Sequence, residues 1–143
     1  MSRVLEAKRQ CWELIRSMHD QGKCERIVVM AGNPGVGKST WIQKLGLHEP
    51  NVGTCVFFDD LLNNKRRRRQ WLEGFHSLDL MVPVEIVAVT RSFERTVASN
   101  QARGAKGGHE VPLEDMERYQ REYEPPTLEE GFTRVRIFEN QHD

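Results

Sequence analysis

Residues 32–40, GNPGVGKST, come directly after the apolar run RIVVMA and satisfy G-x-x-x-x-G-K-[ST] through Gly32, Gly37, Lys38 and Ser39. The spacing has a mechanical reason. Backbone N–H groups must turn inward around an anion, and glycines permit that conformation and a close approach. A helix opening at Lys38 would aim its N-terminal dipole at the same anion. The loop residues Gly32, Asn33, Pro34, Gly35, Val36, Gly37, Lys38, Ser39 and Thr40 are therefore expected to hold ATP or another nucleoside triphosphate. Lys38 would reach the β- and γ-phosphates, and the Ser39 hydroxyl would hold Mg²⁺.

Three further stretches could act on that phosphate. In FFDD, Asp59 and Asp60 close an apolar run, where a strand end faces the ligand crevice of an open α/β sheet. A carboxylate there can take a proton from an attacking hydroxyl or steady the magnesium shell, and Asp59 is the better placed. A turn or helix-cap aspartate is the bland alternative. In NNKRRRRQWLEGF, four successive arginines fan around a helix and cannot form one stripe. Trp71, Leu72 and Phe75 mark its buried side, which Arg68 shares, so Arg68 needs an anionic partner: a ligand, or Asp59 or Asp60. Nucleic-acid backbone is a second partner for this run, and a solvated basic face the plain one. In NQARGAKGGHE, Arg103 and Lys106 among glycines read as a mobile basic lid over about 103–110, with Arg103 placed to neutralise charge on the transferred group. His109 reads as surface, and the YEPPTLEEGF turn (123–132) as structural.

Positioning these residues requires strands at 26–31, 54–59, 84–89 and 134–139, alternating with helices at 38–47, about 64–76, about 92–102 and about 112–124. That alternation predicts a three-layer α/β P-loop NTPase or kinase fold with a small, about four-stranded parallel sheet. Residues 2–20 form one more amphipathic helix, through Val4, Ala7, Cys11, Leu14 and Met18. It reads as a docking helix packed on the domain, or a helix offered to a partner.

The 143 residues suit a single domain over 1–143, with 1–24 as the docking helix and 25–143 as the core. Basic and acidic residues balance at 21 each, so net charge selects no partner. The distribution is uneven: residues 61–75 carry five basic groups against Glu73, and 110–130 carry eight acidic groups against Arg118 and Arg121. The scattered cysteines, Cys11, Cys24 and Cys55, form no zinc pattern and fit reduced thiols. With no membrane-length apolar run and no signal-peptide core, the expectation is a soluble, cytoplasmic protein with no membrane partner.

These residues together resemble the kinase domain of 5′-hydroxyl polynucleotide kinases, from about residue 26 to residue 139. DDLLNNKRRRRQWL is similar to a family segment carrying an aspartate, an asparagine and an arginine, here Asp59, Asn63 and Arg66 or Arg67. ERTVASNQARG is similar to a helix ending in N-x-x-R-G, which places Asn100 and Arg103. VPLEDMERYQREYEPPTLEEGF looks like the family's closing helix and its E-x-P-T-L-x-E-G-F motif. The resemblance implies transfer of the γ-phosphate of an NTP to a 5′-OH end of DNA or RNA. It gives Lys38 and Ser39 the loop roles and Arg103 the lid role; with the reading of the residues above, Asp60, Asn63, Arg66, Arg67 and Arg68 are expected on the acceptor side.

One departure stands out. The family carries two aspartate segments between the loop and the third strand, and here about twenty residues separate Lys38 from a single one. By strand position Asp59 is the general base; by the residues after it, Asp59 is the supporting aspartate. A strand–helix unit is missing or two are merged, and residues 2–20 are expected to dock over the gap. The alternatives are a P-loop kinase for a nucleoside or sugar, and a nucleotide-binding module without transferase activity.

Overall fold

A computed structural model describes residues 3–38, 41, 54–57, 61–79 and 81–141. The chain runs α1 (Arg3–Asp20), β1 (Arg26–Ala31), β2 (Thr54–Phe57), α2 (Lys65–Ser77), β3 (Val84–Thr90), α3 (Phe93–Ala105), α4 (Leu113–Glu122), a 3-10 turn (Leu128–Glu130) and β4 (Arg134–Glu139). The described strands form one parallel sheet in the order β2-β1-β3-β4. In register, Ile27 lies opposite Cys55 and Val84, while Ile86 lies opposite Val29 and Val135.

β1 and β3 are buried along almost their whole length, as their unbroken β-branched runs require of strands covered on both faces. Alternate residues divide between two cores. Ile27, Val29, Ala31, Ile86 and Ala88 face Ile15 of α1 and Trp71, Leu72 and Phe75 of α2. Val28, Met30, Val87 and Val89 face the other way, toward Val36, Trp41 and Phe138. Parallel strands place their C-terminal ends together, so the loops after β1, β2 and β3 converge at one edge. The opposite edge carries a buried carboxylate, Glu85, between Arg26 (3.2 Å) and Arg134 (3.9 Å).

α1 packs on α2. The Trp12 ring meets Trp71 edge-on at 5.6 Å between centroids, and Trp71 stacks on Phe75 at 6.1 Å. Gly74 gives Trp12 its seat: a Cβ there would lie 2.1 Å from the indole ring. Arg16 Nη2 donates to the Leu78 carbonyl at the end of α2 (2.6 Å). This packing uses Trp12 and Ile15 against the domain and leaves Leu14 exposed.

α3 continues past the expected end at 102, so Arg103 lies in its last turn and outside the loop. The helix stops where Lys106 caps it and Gly107 takes a left-handed conformation, φ 85°. The expected ends of the first helix after the loop and of β2 lie outside the described residues. Among the described residues, no helix is long and apolar enough to cross a membrane.

Removing residues 1–20 should lower the melting temperature. Trp12→Ala alone should cost about 3 kcal/mol in urea unfolding, by exposing Trp71 and emptying the seat on Gly74. Unchanged midpoints for both proteins would mean that α1 does not support α2.

Candidate nucleotide-binding site

The loop after β1 has the backbone of an anion cradle. Gly32, Gly35 and Gly37 all have positive φ, 152°, 84° and 98°. Two of them also lack room for a side chain. A Cβ on Gly32 would sit 2.7 Å from the Val89 carbonyl, and one on Gly35 would sit 2.7 Å from the Thr96 carbonyl of α3. Trp41 N donates to Gly37 O (2.9 Å), the first helical bond after the loop. A helix N-terminus therefore opens where the loop ends. Lys38 folds back, its Nζ 2.8 Å from Gly32 O. These residues fit a triphosphate. Ser39 and Thr40 lie outside the described residues, so the expected Mg²⁺ ligand does as well.

The loop is braced from three sides. Arg91, just after β3, donates from Nη1 to Gly35 O (3.1 Å). Asn140, just after β4, donates from Nδ2 to Val36 O (3.0 Å). Leu61 O accepts from Gly32 N (2.9 Å), and Asn63 Nδ2 donates to Asn33 Oδ1 (3.1 Å). A trans peptide points its C=O and the next N–H in opposite directions. Holding the Val36 carbonyl outward therefore turns the Gly37 N–H inward, as phosphate binding needs. Arg91 and Asn140 escape a reading of the sequence because each is a single residue at a strand end with no motif around it. Their one signal is position, since the ends of β3 and β4 adjoin the loop.

A cleft of about 110 Å³ opens beside the loop, lined by Asn33, Val36, Arg91, Phe93, Gln120 and Tyr123 among others. It is well below the roughly 300 Å³ at which drug-sized sites begin. Burial pushes the Tyr123 phenol up, against the opposing pull of the Arg68 charge, so it stays protonated at neutral pH and can donate.

The arginine run divides by helical phase. Lys65, Arg66 and Arg69 are exposed and Arg67 is half-buried. Arg68 is 1% exposed. Its Nε lies 2.7 Å from Glu130 Oε1, its Nη2 donates to Glu130 Oε2 (3.3 Å) and Pro125 O (3.4 Å), and its Nη1 donates to Leu62 O (2.9 Å). In place of the expected ligand or Asp59 or Asp60, the partners of Arg68 among the described residues are Glu130 and the two carbonyls. Asn63 is corrected likewise. It is wholly buried, and its amide donates to Asn33 and to the Tyr119 carbonyl of α4 (3.2 Å), so it acts on the loop and not on a ligand. Asn64 caps α2 by accepting from Arg67 N (2.9 Å). Asp59 and Asp60 lie outside the described residues.

Asn100, 2% exposed, clamps the chain beyond α3, donating to Val111 O (2.7 Å) and accepting from Val111 N (2.9 Å). The expected lid is thereby closed at its base. Arg103 is exposed one turn along, with Nη2 3.4 Å from Asn100 Oδ1. His109 is exposed.

No protein-family profile matches the chain. A crystal structure of a protein from Chloroflexus aurantiacus, described as a putative kinase, is similar over 82% of this chain and 91% of its own, with a TM-score of 0.58 and 14% identity. At that identity the likeness is one of fold alone.

Glu130 gives a pH-dependent prediction. Burial draws its carboxyl up, but the Arg68 guanidinium and the Thr127 N–H outweigh that and hold it below its ordinary 4.5. Its folded value lies under its unfolded one, so the stabilisation is present above about the ordinary value and is lost as pH falls through the lowered one. Glu130→Gln should cost about 3 kcal/mol at neutral pH, because Arg68 stays buried without its counter-charge. The same variant should show a shallower loss of stability in urea titrations taken down through the acidic range.

Proposed function

We propose that the protein is an ATP-dependent phosphotransferase that moves the γ-phosphate to a 5′-OH end of DNA or RNA. The observation that carries the phosphotransferase part is the braced loop, with its outward-held carbonyls and the Lys38 ammonium folded across it. The exposed ridge of Lys65, Arg66 and Arg69 supports a polynucleotide acceptor. It begins four residues after Leu61, whose carbonyl bonds the loop, so a strand bound along it would bring its end to the phosphate.

In this reading, loop N–H groups and Lys38 bind the β- and γ-phosphates. Asp59 takes the proton from the 5′-hydroxyl. That oxygen forms a bond to the γ-phosphorus as the bond to the β–γ bridging oxygen breaks, and ADP leaves. Arg103 neutralises charge on the group in transit. Magnesium, when bound by Ser39, would draw charge from the phosphate oxygens. A small-molecule acceptor, a nucleoside or sugar, is the second reading, favoured by the small cleft beside Asn33.

Transfer from γ-labelled ATP to 5′-OH oligonucleotides, with nucleosides in parallel, separates the two. Lys38→Ala, Asp59→Asn and Arg103→Ala should each reduce kcat by about 10² or more. Replacing Lys65, Arg66 and Arg69 together with Ala should weaken oligonucleotide binding and flatten its log–log salt dependence by about 2 units, at ~0.7 per single-strand phosphate contact. Label on nucleosides alone would establish the second reading. ATP binding with no labelled acceptor would leave a nucleotide-binding module.

A further inference from the structure

We propose that Asn33 is a contact for the γ-phosphate, donating from Nδ2, and that Asn63 and the Tyr119 carbonyl fix which end of its amide is offered. This rests on the phosphotransferase reading above and goes beyond the roles of the loop backbone and Lys38.

The inference rests on a chain of hydrogen-bond polarity. The Tyr119 carbonyl can only accept, and it lies 3.2 Å from the Asn63 amide nitrogen. That orients Asn63, whose second amide proton goes to Asn33 Oδ1 at 3.1 Å. With Oδ1 taken, the end of Asn33 left for the cleft is its NH₂. The opposite orientation of Asn63 would set its oxygen against the Tyr119 carbonyl. The orientation adopted leaves Asn63 Oδ1 buried without a partner. Folding alone gains nothing from that orphaned acceptor, whereas a donor aimed at an anion makes use of it. The backbone holds Asn63 in place as well, since Glu124 N donates to Asn63 O (2.8 Å) and Leu61 O accepts from Gly32 N (2.9 Å).

Position selects the γ-phosphate. Asn33 is tied to Asn63, and Gly32 N donates to the carbonyl of Leu61, the residue that follows Asp60 in the chain, so this side of the loop is the one joined to the acceptor segment. The transferred group must lie between the loop and the acceptor. Arg91, Gln120 and Tyr123 share the cleft, so its polar lining is rich in donors and suits anionic oxygen.

The test is affinity for Mg·ATP and Mg·ADP, measured by titration calorimetry on the full chain and on Asn33→Asp, Asn33→Ala and Asn63→Asp, each with a thermal melt. Asn33→Asp keeps an oxygen for Asn63 but turns its other oxygen toward the cleft. ATP affinity should fall about tenfold or more, and ADP affinity less than about threefold. Asn33→Ala removes the donor without adding charge and should lower the ATP-over-ADP preference by about threefold. Asn63→Asp should turn the Asn33 amide over and give the same selective loss. A general loosening of the loop would weaken both nucleotides equally. Equal losses, or none, in both folded Asn33 variants overturn the inference and leave the phosphotransferase reading standing. A parent protein that binds neither nucleotide overturns that reading, and the inference with it.

Discussion

A guanidinium removed from water must find acceptors in its own plane, and Arg68 finds them in two separate stretches of chain. It takes the Leu62 carbonyl before α2, the Pro125 carbonyl, and both oxygens of Glu130. Glu130 in turn caps the 3-10 turn, accepting from Thr127 N (2.8 Å) and from its hydroxyl (3.2 Å). Leu62 holds a left-handed conformation, φ 50°, uncommon for a branched residue, and is wholly buried. Its carbonyl faces Arg68, so the bond helps to hold that backbone. One residue on either side of Leu62, Leu61 and Asn63 reach the loop after β1. A single buried charge thus links residues 125–130 to the loop after β1.

The loop itself is an entropic liability, because glycines lose the most freedom on ordering. Its braces answer that liability through bonds to the loop's own oxygens. Arg91, Asn140 and Asn63 each use a donor on a carbonyl or amide oxygen of the loop, and none needs to touch a ligand. Lys38 is different. Its ammonium lies on Gly32 O, and a phosphate oxygen would offer it a charged acceptor, the stronger kind.

How much of the fold and site is legible in the sequence depends on how local each signal is. β1 and β3 announce themselves through unbroken apolar, β-branched runs, and β4 through a short run bounded by turn residues. The loop is legible because its glycines must recur at fixed spacing. α1 is legible as a periodic stripe, and the same stripe leaves open whether it packs on the domain or on a partner; Trp12 and Gly74 decide that through a contact between residues far apart in the chain. The Arg68–Glu130 pair spans 62 residues and obeys no motif spacing, so helical phase can show that Arg68 needs an acceptor but not which one. The pattern of residues ends α3 too early because Gly104 reads as a breaker. In the fold it lies against the Glu110 side chain, where a Cβ would be 2.1 Å from a carboxylate oxygen, and the helix runs on to Ala105.

The four arginines show why a charge run is not one feature. Successive helical residues turn by about 100°, so a run of four must place at least one side chain against whatever the helix packs on. α2 packs through Trp71, Leu72 and Phe75, and Arg68 falls among them. Burying it would be prohibitive without Glu130, and Glu130 is held in reach by its own cap. With that pair in place, the same helix can keep Lys65, Arg66 and Arg69 in water. The inward arginine fixes the orientation of the outward ones, so Lys65, Arg66 and Arg69 stay exposed without any of them being used in packing.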